Sequence, residues 1–110
     1  MPSKSKAKGS RVERLIVQVF EDAGIPCVRA WGSNGMALGE AETVDNVATL
    51  PSGDKLRIQV KARKKIAEFM TPPEGADCTI LKADREDPLI VINLHKFIDL
   101  VEEVARTEQG

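Results

Sequence analysis

Two β-prone runs joined by one tight turn constrain this chain more than any other feature. Residues 43–50 (TVDNVATL) and 56–62 (LRIQVKA) flank Pro51-Ser52-Gly53-Asp54, which has Pro and Gly where a turn needs them. The result is an antiparallel hairpin in mid-chain that the rest of the sequence must cover. Upstream, Val12, Leu15, Ile16, Val19, Phe20 and Ala23 follow the i, i+3, i+4, i+7 spacing of a helix with one buried face. Ser10 supplies its N-cap, Glu13 completes a Ser-x-x-Glu capping box, and Gly24 ends it. Residues 25–31 read as a short strand, followed by a glycine-rich loop, Gly32-Ser33-Asn34-Gly35 and then Gly39. Beyond the hairpin, residues 66–70 suit a helical turn cut off by Pro72-Pro73. Residues 78–83 and 89–93 are two more strands across the charged turn 84–88, and Asn93 caps a last helix with Phe97, Leu100, Val101 and Val104 on one face. This order predicts an α/β fold, a mixed sheet of about five strands flanked by helices.

A chain of 110 residues holds one hydrophobic core, so residues 10–110 are expected to form a single domain. Residues 1–9 are small, polar and basic, without apolar periodicity, and read as a flexible arm. No stretch approaches the roughly 18 apolar residues of a membrane span, and the start MPSKSKAKGSR lacks a signal peptide's apolar segment, so a cytoplasmic location is expected. Cys27 and Cys78 are too few for a disulfide framework and lack zinc spacing; buried free thiols are the simpler reading. An aromatic share of 4%, with no Tyr, leaves little for base-stacking platforms.

Net charge is -1, but the mean hides an asymmetry along the chain. Lys4, Lys6, Lys8, Arg11 and Arg14 load the first segment, and Lys55, Arg57, Lys61, Arg63, Lys64 and Lys65 load the middle, while the stretch after Ile66 is mainly acidic. One basic face suits a polyanion; the plainer alternative is that these side chains only solvate the surface.

Chemistry concentrates in the hairpin. Pairing of the two runs sets Asp45 beside Gln59, and the strand period of two puts Gln59 and Lys61 on one face. The Asp45 carboxylate, the Gln59 amide oxygen and the Val60 carbonyl would make a hard, oxygen-rich site suited to Mg2+, with Mn2+ a natural substitute. Lys61 would orient a water or offset charge on a phosphate. Glu40 and Glu42 are further candidate ligands beside Asp45. The structural alternatives are concrete: Glu13 is accounted for by its capping box, and Gln59 with Lys61 could be the solvated face of an edge strand. His95 reads as a surface residue, and Trp31 as a core or dimer contact or a rest for DNA.

An acid at the start of a hairpin, then about a dozen residues, then (Asp/Glu)-x-Lys on the next strand resembles the motif of the PD-(D/E)XK nucleases. Over most of its length the chain looks like the Holliday-junction resolvases of that superfamily from archaea and phages. The residues carrying the likeness are Gly9-Ser10-Arg11-Val12-Glu13-Arg14, Gly32-Ser33, the strand 57–63 and, as in phage-encoded members particularly, 81–85 and 88–92. The resemblance implies a restriction-endonuclease-like fold in which Glu13, Asp45 and Gln59 organise the metal together with the Val60 carbonyl. It also implies that Lys61 assists catalysis and Ser33 lies near the scissile phosphate. Implied partners are DNA, in the form of four-way junctions, and a second copy of the chain in a two-fold dimer. Lys4, Lys6, Lys8, Arg11 and Arg14, the loop residues Ser33 and Asn34, and Arg63, Lys64 and Lys65 would hold phosphates. The host would be a bacterial, archaeal or phage-infected cell. Two positions depart from the pattern: Gln59 replaces the usual acid and Val44 stands where Pro is expected. The Gln removes one negative charge and keeps an oxygen ligand. The expected activity is junction-selective hydrolysis of phosphodiesters by a metal-activated water. The alternatives are a nicking or restriction-type duplex endonuclease and a DNA-binding module that has lost catalysis.

Overall fold

The computed structural model describes the backbone of residues 4–30 and 39–109, and the side chains of residues 8–30 and 39–103. Its elements are α1 (Lys4–Asp22), β1 (Cys27–Arg29), β2 (Asn46–Thr49), β3 (Lys55–Ile58), a 3-10 turn (Glu68–Met70), β4 (Cys78–Leu81), β5 (Leu89–Ile92) and α2 (Leu94–Gln109). Among the described residues this is an α/β arrangement of five strands and two helices, consistent with a restriction-endonuclease-like fold. Among the described residues the strands pair antiparallel in two sheets, β1-β2-β3 and β4-β5, where one mixed sheet was expected. The chain gathers into two compact units, one through Ala62 and one from Arg63 through Glu108.

In the first unit, α1 begins at Lys4, about two turns before the start expected at Ser10. Lys and Ala are strong helix formers, and a polar helix start leaves no apolar period to read. Ser10 is therefore interior to the helix and not its N-cap, and the capping box with Glu13 does not form. The buried stripe is also rotated from the expected one: Glu13 and Phe20 are buried, with Ile16 and Val17 half-buried between them, while Leu15 is 57% exposed. The C-terminus follows expectation. Gly24 takes φ +80, its N–H donates to the Glu21 carbonyl, and Ile25 N–H donates to the Phe20 carbonyl, so the last carbonyls are satisfied as in a Schellman motif. Phe20 and Ile25 are both fully buried, which contributes about 2 kcal/mol apiece.

Helix α1 packs on β1 and β2. The register Cys27↔Ala48, Arg29↔Asn46, Asn46↔Ile58 and Ala48↔Leu56 puts those residues on one face of the sheet. That face meets α1, because Arg29 and Asn46 both hydrogen-bond to it. The hairpin turn matches its sequence signal. Gly53 N–H donates to the Leu50 carbonyl and Leu50 N–H to the Asp54 carbonyl, with Gly53 at φ +94 after Pro51. Strand β3 ends at Ile58, so Gln59, Val60 and Lys61, expected inside it, lie just beyond.

In the second unit, β4 and β5 pair in the register Cys78↔Ile92 to Leu81↔Leu89. Asn93 caps α2: its Oδ1 accepts from His95 N–H at 3.0 Å and its carbonyl from Phe97 N–H at 3.0 Å. Ile98 is buried, whereas Ile80 and Ile90, opposite each other in the hairpin, are each 59% exposed. Neither cysteine is in a disulfide; Cys27 is buried and Cys78 half-buried. Among the described residues no helix is long and apolar enough to cross a membrane.

Candidate active site

The β2-β3 ladder is regular from Thr49↔Lys55 to Asn46↔Ile58 and then changes. Asp45 N–H donates to the Ile58 carbonyl at 2.8 Å, one residue short of the Gln59 partner that the register would continue to. The next amide, Val60 N–H, donates to the Asp45 carboxylate, with N to Oδ2 at 2.7 Å. A side chain has replaced the backbone carbonyl as the strand's acceptor. Val60 lies between Gln59 and Lys61, so this bond brings the carboxylate against the segment that carries both. Asp45 is half-buried, Gln59 and Lys61 are exposed, and Ile58, Val60 and Ala62 are half-buried, the alternation of an extended segment.

Among the described residues Asp45 Oδ1 accepts no hydrogen bond, and neither Gln59 nor Lys61 has a hydrogen bond or ion pair. An oxygen with both lone pairs available, on a carboxylate bonded to the amide between an exposed Gln and an exposed Lys, fits a hard divalent cation beside a phosphate. Among the described residues no three His, Cys, Asp or Glu side chains cluster as a metal site, so such an ion would rest on few protein charges. Glu40 is not in this group: it pairs with the Arg57 guanidinium. Glu42 is exposed.

Glu13 lies in α1. It is only 5% exposed, and its Oε1 accepts from Arg29 Nε at 2.9 Å. Arg29 Nη2 donates to Ser10 Oγ at 3.0 Å. Asn46, fully buried, donates from Nδ2 to the Glu13 carbonyl at 3.1 Å, while its Oδ1 has no hydrogen-bond partner. A buried carboxylate in mid-helix requires a counter-charge, and Arg29 in the short β1 strand provides it. Arg29 and Asn46 escaped the sequence reading. The available signal was a charged and an amide side chain, each within an apolar β-prone run and with no turn to explain it.

Lys8 is half-buried and Arg11 and Arg14 are exposed, the last two on the outward stripe of α1 together with Leu15 and Gln18. Lys4 and Lys6 lie within the α1 backbone, and Arg63, Lys64 and Lys65 are exposed. Ser33, Asn34 and Trp31 lie outside the described residues.

Comparison with known proteins gives a match to a protein family. The family model of the archaeal Holliday junction resolvase (Hjc) covers residues 4–99. No curated protein and no solved structure matches the chain. The family implies the nuclease activity of Holliday junction resolvases. With nearly the whole described chain inside that match, this protein belongs to the archaeal Holliday junction resolvase family, a family of PD-(D/E)XK nucleases.

Proposed function

We propose that this chain is a Mg2+-dependent, structure-selective endonuclease that cuts four-way DNA junctions as a two-fold homodimer, with residues 10–110 as its nuclease domain. The observation that carries the reading is the 2.7 Å bond from Val60 N–H to Asp45 Oδ2, which holds the carboxylate against the backbone between Gln59 and Lys61. Asp45, the Gln59 amide oxygen, the Val60 carbonyl and Glu13 would hold the ion; Mn2+ would substitute. The bound ion would supply charge stabilisation on the phosphate and activate water for in-line attack. Lys61, without an ion pair among the described residues, meets a phosphate oxygen and offsets charge as the bond breaks. Ser33 and Asn34 contact the strand near the cut. Lys4, Lys6, Lys8, Arg11, Arg14, Arg63, Lys64 and Lys65 bind the backbone by charge, and DNA shape, not base sequence, selects the substrate. The place of action is the cytoplasm of the cell that holds the recombining DNA.

Cleavage assays on four-way junctions, flaps and plain duplex in Mg2+ test this. Junctions are expected to be cut preferentially, with cleavage lost in Lys61→Ala and Asp45→Ala. Cleavage of linear duplex alone would make the protein a duplex endonuclease instead. A second reading, a binding module without catalysis, is favoured by Gln59 at an acid position and by the sparse set of acidic ligands. It predicts tight junction binding with no cleavage in Mg2+ or Mn2+.

A further inference from the structure

Burial separates the described phenylalanines: Phe20 is fully buried and Phe97 half-buried, whereas Phe69 is 73% exposed. Covering such a ring removes apolar surface from water and is favourable. Its backbone is already fixed. Met70 N–H donates to the Ala67 carbonyl at 3.0 Å and Thr71 N–H to the Glu68 carbonyl at 3.1 Å, closing the 3-10 turn on which Phe69 stands. Pro72-Pro73 follow at once, and Ala76 N–H donates to the Pro73 carbonyl at 3.0 Å across Gly75 at φ +91, so a second turn fixes the exit. The ring is thus presented from a pre-ordered loop, which keeps the entropy lost on contact small. It forms one wall of an open cleft of about 410 Å³ whose other lining residues are Glu68, Thr71, Pro72, Pro73 and Thr79.

What covers the ring follows from charge. The loop begins with Arg63-Lys64-Lys65, all exposed, a stretch suited to backbone phosphates, while the cleft contains the Glu68 carboxylate, which repels them. A polyanion held by the first can place only an uncharged part, a base, in the second. The cleft is furnished for one: the Phe69 ring and two proline rings for its π surface, and the Thr71 and Thr79 hydroxyls and Glu68 as acceptors for its amino groups. Thr71 Oγ1 already donates to the Ala67 carbonyl at 3.4 Å, so it meets a ligand as an acceptor. We propose that Phe69 stacks on an unstacked base of branched DNA, with this cleft as the base's pocket. The inference rests on DNA being the substrate and deepens that reading. It lets the protein sense bases freed from the helix stack, which branched DNA yields at lower cost than an intact duplex.

The test is binding of the intact protein to a four-way junction, a flap and plain duplex in EDTA, so that no strand is cut, with thermal unfolding and sedimentation measured in parallel. Phe69→Ala is expected to leave Tm and sedimentation unchanged and to weaken junction and flap binding about tenfold, while duplex binding and the slope of affinity against salt stay as they were. Phe69→Trp is expected to retain binding, and Phe69→Leu, apolar but without a π face, to stay weak. A 2-aminopurine at the branch point is expected to brighten with the unaltered chain and not with Phe69→Ala. The Lys64→Ala, Lys65→Ala double variant provides the contrast: a loss on all three DNAs alike, with the salt slope lower by about two. Junction binding unchanged in Phe69→Ala, an equal loss on duplex, or full recovery by Phe69→Leu would overturn the stacking role and leave the proposed function standing. A slower-sedimenting Phe69→Ala protein would show that the ring meets a second copy of the chain, and would overturn that role too. An unaltered chain that binds the three DNAs equally would overturn the junction selectivity of the proposed function and this inference together.

Discussion

Burial of Cys27, with Glu21 beside it as the lesser cause, pushes its thiol up from 9.0 to about 11. The folded state thus holds this proton more tightly than the unfolded chain does. The stabilisation is complete below pH 9 and is lost as pH rises toward about 11. It amounts to about 2 kcal/mol. Urea unfolding from pH 8 to pH 11 is expected to show a decline that Cys27→Ala lacks, and the folded thiol is expected to resist alkylation at neutral pH. Glu13 makes the opposite case, a buried charge that depends on a partner. Arg29→Met removes the guanidinium from that buried carboxylate and is expected to cost about 3 kcal/mol in chemical denaturation, much of it regained in the Glu13→Leu, Arg29→Met double variant. Asp45 could be singled out in the sequence because an acid in a β-prone run is disfavoured there unless exposed or functional. Arg29, also a charge in a β-prone run, was passed over because the partner that explains it lies sixteen residues earlier.

Elements with a chemical stop were readable, and those without one were not. Gly24, Asn93 and the Pro51-to-Asp54 turn all lie where their residue types predict, since each satisfies a backbone group no neighbour can reach. Gly24→Ala is expected to cost about 1 kcal/mol by thermal unfolding, because a Cβ disfavours φ +80 even with no atom in its way. The start of α1 has no such marker and moved to Lys4. The helix's buried face was misread for a related reason. Periodicity counts apolar residues, and this stripe is organised around a carboxylate; Leu15, which fits the period, is left in solvent. The end of β3 was equally silent, because nothing in Leu56-Arg57-Ile58-Gln59-Val60-Lys61 says where the ladder stops.

Across the whole molecule, family membership was readable from the resemblance carried by residues 9–14, 32–33 and 57–63, whereas the bond that ties the Asp45 carboxylate to the Val60 amide required coordinates. The basic character can be tested at this scale. Arg11 and Arg14 are exposed on α1, and replacing both with alanine is expected to reduce the salt dependence of junction binding by about two units of slope, without changing preference among junction sequences. Titration of affinity against salt in both proteins measures it. The irregular end of the β2-β3 ladder has a further consequence for how such experiments are interpreted. One oxygen of Asp45 anchors the main chain at Val60, so removing the whole side chain deletes a ligand and also unties the backbone bearing Gln59 and Lys61. An inactive Asp45→Ala protein therefore reports two losses at once. Asp45→Asn separates them: its carbonyl oxygen can still accept from Val60, so slow hydrogen exchange at that amide is expected to survive while cleavage disappears.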